Sequence, residues 1–348
     1  MEKIIDLRSD TVTRPTQEMR EAMKDAIVGD DILRDDPTVI RLEELGAEIF
    51  GKEAAILTIS GTMSNEIAAM VYAKPGDEIV VFSESHIYNL ETGGISALSG
   101  AQPRPLKSDS GTYYEEELCR AIMPPGVQRA RTRLICLENT FHLDRGLAIE
   151  KSRYAETIDM AQKHHLPIFM DGARIFNAAV ALNTNVADLV SFCDAVDVCL
   201  CKGLAAPLGS LLIGSKDFIE EARRIKQRIG GGMRQAGVIA APGIIALTKM
   251  VQRLAVDHAN AERMRSGLET MGIRVDRGGV LTNIINLDIC PVGWKASVFA
   301  DRLNESGIKV KVCTEHTLRM VTHNDIQAID ISFVLDKIHD MLRERPQA

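Results

Sequence analysis

Short apolar runs alternate with amphipathic stretches through most of the chain. Ala54–Thr58, Glu78–Phe82 and Leu134–Glu138 each have the length and side-chain content of a buried strand. Pro167–Met170 is a further short run that ends at Asp171, and Asp197–Cys201 is one that ends at Lys202. Gly209–Gly214 reads as a strand returning from it. Helical periodicity fills the intervals: Gly61 to about Tyr72, a polar-rich stretch from Ser152 to His164, and a stretch after Ser215. The last places Phe218, Ile219, Ala222 and Ile225 on one face and stops at Gly230–Gly232. A further helical stretch is predicted from about Arg234 to Val256, interrupted by Pro242. This alternation predicts an α/β domain with a mainly parallel sheet.

From about Val280 the pattern changes. Asn283–Asp288, Lys309–Val312 and Leu318–Val321 read as strands, with helices over Ala296–Asn304 and within Asp325–Arg343. A smaller α+β unit with its own sheet is expected there. The predicted division is 1–250 for the large domain and 251–348 for the small one.

Composition narrows the function classes. With 348 residues, 45% apolar and 26% charged, the chain has ample material for a large core. The net charge of -7 carries no basic stripe, so nucleic acid is not an expected partner. No apolar run is long enough to span a bilayer, and the opening residues lack the apolar stretch of a secretory signal. The cysteine count is seven, an odd number, and Cys199-Leu200-Cys201 is C-x-C rather than C-x-x-C. Free thiols in a reducing compartment are expected, and hence a cytoplasmic protein.

In open α/β sheets ligands collect at the carboxyl ends of the strands. Gly61-Thr62, Asp171 and Lys202 all stand there. The amides that open a helix at Gly61 suit an anion such as a phosphate, although a simple cap by Thr62 or Ser64 accounts for the same residues. Asp171, at the end of an apolar strand, needs a cationic partner. A protonated pyridine nitrogen and a structural pair with Arg174 both qualify. Lys202 follows a buried run, and removal from water is expected to lower its pKa and expose a nucleophilic amine.

These sites, in this order, resemble the threonine aldolase family of pyridoxal-phosphate (PLP) enzymes. The resemblance runs through Asp6–Thr16, Gly29-Asp30-Asp31, Asp35–Val39, Gly51–Ala55, Gly61–Asn65, Asp171–Ala179, Lys202-Gly203-Leu204, Gly230–Gln235, Arg319 and Val321-Thr322-His323. It implies the PLP-dependent transferase fold of aspartate aminotransferase type (fold type I). It implies PLP held as a Schiff base on Lys202, Asp171 on the pyridine nitrogen, and Gly61 and Thr62 on the phosphate. Arg174 would reach the ring's phenolic oxygen or the substrate carboxylate. His86 would stack on the ring and take part in proton transfer. Ser9 and Arg319 would bind the substrate carboxylate, and Lys226 or Arg228 would reach a neighbouring subunit's phosphate. A homodimer or homotetramer with sites at subunit interfaces is expected.

The sequence departs from the family where the substrate's β-substituent binds. Leu33 and Arg34 replace a tyrosine and a glycine, Leu90 stands where an aromatic residue is common, and Glu-Asn-Thr-His-Asn reads Glu138-Asn139-Thr140-Phe141-His142. Phe141 thus takes the place of the histidine that meets the β-hydroxyl; His142 could substitute from the next position, but adjacent residues normally point in different directions, and a solvent-facing loop histidine is the expected reading. Leu33 and Phe141 would make the side-chain pocket more apolar. The expected activity is cleavage of a β-hydroxy-α-amino acid, such as threonine, allo-threonine or a bulkier analogue, to glycine and an aldehyde. Two alternatives stay open: a PLP-dependent β-eliminating lyase acting on a cysteine or serine derivative, and a non-catalytic fold relative. No histidine cluster has metal-ligand spacing.

Overall fold

A computed structural model describes residues 3–122, 124 and 126–343. Its centre is a seven-stranded sheet in the order 54–58, 210–214, 195–199, 168–171, 132–138, 78–82, 102–106. Strand Ser210–Gly214 runs antiparallel to both neighbours, and the remaining pairings are parallel. The mainly parallel sheet and the α/β class are therefore as expected. Separate apolar clusters pack the two faces. One is built around Leu57, Val80, Ile135, Met170 and Leu211, the other around Ile56, Ile79, Leu134, Phe169 and Leu212. These neighbours in sequence fall in opposite clusters because successive strand side chains point to opposite faces.

Two details differ from the sequence pattern. The strand expected over Asp197–Cys201 spans Ala195–Cys199, so Lys202 sits in the loop beyond it. The helix expected to break at Pro242 continues through it as Gly237–Ile245, and a π-helical turn follows at Ala246–Met250.

The second sheet has four strands in the order 274–275, 284–288, 317–321, 311–312, all antiparallel. Its core unites Ile285, Leu287, Phe299, Leu318 and Val334 with Ile5 and Leu7 from the start of the chain. Ile5–Asp6 pairs in parallel with Ile308–Lys309 in a separate two-stranded sheet, and the Leu7 carbonyl accepts the Val321 N–H at 2.8 Å, which ties the N-terminal segment to this unit.

Candidate active site

Five parallel strands end at one cavity of about 200 Å³. Ser60, Gly61 and Thr62 follow strand Ala54–Thr58, and His86 follows Glu78–Phe82. Glu138, Thr140 and His142 come from the end of Thr132–Glu138, Asp171 and Arg174 from the end of Ile168–Asp171. Cys199, Cys201 and Lys202 come from the end of Ala195–Cys199. Ligand sites form at this edge because each strand hands over to a helix or loop there, which frees side chains and amides to converge.

The anion end is built at the helix Gly61–Tyr72. Ser60, rather than Thr62 or Ser64, caps it by accepting the Met63 N–H at 3.2 Å. Ser64 instead turns inward to share a 2.7 Å hydrogen bond with Thr58. Thr62 is thus left facing the cavity. Gly61 has no room for a side chain: a Cβ would stand 2.9 Å from Cys199 Sγ and 3.1 Å from Asp197 Oδ2. The backbone there lies against the sheet, with the helix dipole aimed at the cavity.

Asp171 is buried, and its oxygens accept from Asn65 Nδ2 at 3.0 Å and from the Ala173 N–H at 3.1 Å. It makes no pair with Arg174. Arg174 instead forms a bidentate pair with fully buried Asp10, Nε to Oδ2 at 2.7 Å and Nη2 to Oδ1 at 2.6 Å. That pairing leaves Nη1 for an anion in the cavity. Burial works against both charges, but Arg174 outweighs it and holds the Asp10 carboxyl well below its ordinary range. Asp10 in turn pushes the Arg174 guanidinium up. Buried charges persist when paired in this way.

His86 Nδ1 lies 2.9 Å from Glu91 Oε1, and Glu91 also accepts from Asn65 Nδ2 at 2.8 Å. The chain His86–Glu91–Asn65–Asp171 is continuous. The Glu91 hydrogen bond, aided by Asp171, raises the His86 pKa against the effect of burial. The His86 backbone N–H donates to Glu138 Oε2 at 2.7 Å. Burial and the nearby Asp171 push the Glu138 carboxyl upward, against the His86 N–H it accepts.

Lys202 lines the cavity and is half-buried. Its pKa moves opposite to the sequence expectation. Burial lowers it, but Cys199, Asp171 and Asp10 together outweigh burial and Arg174, and the net direction is upward. Buried acids surround this amine more closely than the strand pattern shows.

Several residues sit differently from what their expected roles require. Phe141 is 0% exposed and packs into the large core, edge-on to Phe82 with ring centroids 5.0 Å apart, so it is not a substrate contact. Because Phe141 turns inward, the adjacent His142 turns the other way and lines the cavity rather than facing solvent. Leu33 is 70% exposed in a surface turn and lies outside the cavity of its own chain. Arg319 is buried, but Nη1 donates to the Leu143 carbonyl at 2.8 Å and Nη2 to the Arg8 carbonyl at 3.0 Å. Each arm of its fork thus already bonds a backbone carbonyl, and neither it nor Ser9, which accepts the Thr11 N–H at 3.2 Å, is among the residues that line the cavity. Lys226 is bound within its own chain to Asp31 Oδ2 at 2.8 Å, while Arg228 is exposed. Asp10, Asn65 and Glu91 are the functional neighbours that the sequence reading missed. Asp10 and Asn65 lie inside motifs already singled out, which was the available signal.

These residues fit PLP on structural grounds. A cradle that a Cβ would fill marks the phosphate end. A buried carboxylate set between an amide side chain and a backbone N–H suits a ring N–H, and an amine stands in the same cavity. The geometry is tight enough to test by one methyl group. In Gly172→Ala the new Cβ would lie 2.6 Å from the Asp197 backbone oxygen. The variant is expected to lose about 1–3 kcal/mol of stability in denaturant titration and to bind PLP more weakly.

The family model described as beta-eliminating lyase matches residues 6–289. A probable low-specificity L-threonine aldolase of Arabidopsis thaliana is 42% identical over 340 residues, covering 96% of each chain. The alanine racemase TOXG of Cochliobolus carbonum is 34% identical over 353 residues, covering 98% of this chain and 88% of that one. A threonine aldolase from Leishmania major superimposes with a TM-score of 0.85 at 17% identity, covering 97% of this chain and 99% of that structure. The chain belongs to the beta-eliminating lyase family and is a relative of the low-specificity L-threonine aldolases.

Proposed function

We propose that this chain is a PLP-dependent lyase that cleaves a β-hydroxy-α-amino acid to glycine and an aldehyde. The observation that carries the reading is the convergence of Gly61, Asp171, Arg174 and Lys202 on one cavity in a chain 42% identical to a threonine aldolase. When bound, PLP supplies an electron sink for the electrons of the broken Cα–Cβ bond. Lys202 would hold the cofactor covalently and exchange it for the substrate amine. Asp171, fixed by Asn65 and the Ala173 N–H, would keep the ring nitrogen protonated. Gly61 and Thr62 would take the phosphate at the helix terminus. Arg174, oriented by Asp10, would offer Nη1 to the ring oxygen or the substrate carboxylate. His86, held by Glu91, would lie over the ring.

His142 is the cavity group suited to the β-oxygen. Burial lowers its pKa, so it is neutral, and its Nδ1 accepts the Asp144 N–H at 3.3 Å. The proton then rests on Nε2, which would donate to the substrate oxygen. His142→Ala is expected to lower kcat/KM for β-hydroxy substrates by about 10- to 100-fold, the range for one positioned hydrogen bond. Its release of pyruvate from serine derivatives should change far less.

The reading is tested on a substrate panel of threonine, allo-threonine and phenylserine, scored for glycine and aldehyde. Cofactor-loaded protein that releases glycine from none of them refutes it. A second reading is favoured by the racemase relative together with the displaced histidine: Cα–H exchange on alanine with the Cα–Cβ bond left intact. Interconversion of L- and D-alanine in the same assay identifies it.

We further take residues 1–250 as the cofactor-binding unit and 251–348 as the smaller unit. Ile27, Val28, Ile32 and Leu33 are exposed together in one segment, which supports a homodimer or homotetramer covering them and would bring Leu33 to a neighbour's cavity. Light scattering on purified protein gives the assembly mass. Seven free cysteines support a cytoplasmic location.

A further inference from the structure

The C-x-C pair is not used by the chemistry above, yet both thiols line the cofactor cavity beside Lys202. Cys199 is the last residue of its strand and is buried. Its Sγ lies 3.9 Å from Asp197 Oδ2 and directly under Gly61, 2.9 Å from where a Cβ would be. Cys201 is half-buried in the loop that carries Lys202. The strand ends at Cys199, and two residues on, Cys201 faces the same cavity, which sets the two thiols side by side along its wall. Among the described residues the other thiols lie outside this cavity: Cys119 and Cys290 are exposed, Cys136 and Cys193 are buried, and Cys313 is half-buried.

We propose that Cys201 and Cys199 form an oxidative modification site in the cofactor cavity, in which a peroxide converts the pair to a disulfide and disables the site. Cys201 is the attacking thiol. The neighbouring Cys199 thiol and the positive charge on the Lys202 nitrogen hold it down to about 7, against the opposing effect of burial. Burial and the same contact push Cys199 the other way, so it remains a thiol. The Cys201 thiolate attacks the peroxide, the O–O bond breaks, hydroxide leaves and a sulfenic acid forms. Cys199 sulfur then attacks the Cys201 sulfur. The S–S bond forms, the S–O bond breaks, and the departing oxygen leaves as water with the Cys199 proton. Two thiols are oxidised and one peroxide is reduced. Drawing Cys199 toward Cys201 withdraws the atom that supports Gly61 and reshapes the loop of Lys202, so the phosphate and amine ends are disturbed together.

The test exposes the purified, cofactor-loaded full chain to a small excess of hydrogen peroxide, blocks free thiols and maps peptides without reduction. The peptide that contains both residues is expected to be lighter by two hydrogens. Bound-cofactor absorbance should fall with it, and a dithiol reductant should restore both. In Cys201→Ser and Cys201→Ala, loss of absorbance at the same peroxide dose is expected to be at least about 10-fold slower. In Cys199→Ser, Cys201 should advance to the sulfinic acid and the loss should become resistant to reductant. Absorbance lost with the 199–201 peptide unchanged, or lost equally fast in both Cys201 variants, overturns the proposal.

Discussion

Lys202→Ala is expected to lower glycine release by about 10³-fold or more, the scale seen when one member of a catalytic unit is removed. The side chain is half-buried in a loop rather than packed in the core, so the circular dichroism spectrum should stay unchanged. Lys202→Arg is the sharper control. It keeps a cation among Asp171, Asp10 and Cys199, but a guanidinium stays protonated and cannot form the covalent attachment. Both variants should bind PLP reversibly and lose it on dialysis. Parental turnover in either would remove the amine from the mechanism.

Asp10→Ala is expected to destabilise the protein by about 3–5 kcal/mol, because it strands the Arg174 guanidinium in a buried site without its partner. Denaturant titration measures the loss. Activity should fall as well, since Arg174 loses the two bonds that orient it. The double variant Asp10→Leu with Arg174→Met should regain much of the stability and none of the activity, which separates the structural from the functional share. The same pair sets an acid limit. The Asp10 pKa is depressed in the folded state, so its contribution is complete above its unfolded value of about 4 and is lost as pH falls through the folded one. Asp10→Asn should flatten that part of the stability–pH curve.

Strands that are buried on both faces were legible as apolar runs, and Ala54–Thr58 and Glu78–Phe82 begin and end where the pattern places them. The edge strand Gln102–Leu106 was not. Its Pro103 and Pro105 argue against a strand, yet it pairs on one side only, with Glu78–Phe82, where missing N–H groups can face away from the ladder. The helix Pro37–Phe50 carried a readable start, Asp36 as cap with proline at the first position, but this signal was used only as a family motif. At the site, residues that follow a strand directly were found because strand ends are local features. The Asp10–Arg174 pair was not, since it joins positions 164 apart. Pointing direction also escaped: only packing against Phe82 shows that Phe141 goes into the core and His142 toward the cavity.

Residues 5–10 belong to two bodies at once. Ile5 and Leu7 are packed in the small core and Ile5–Asp6 is laced to Ile308–Lys309, while Asp10 grips an arginine of the large sheet. Any tilt of the smaller sheet is therefore passed along this short strap to the guanidinium beside the cofactor cavity. A ligand that clamps Arg174 should, by the same linkage, stiffen the far sheet, and amide exchange at Ile284–Asp288 should slow when the cavity fills.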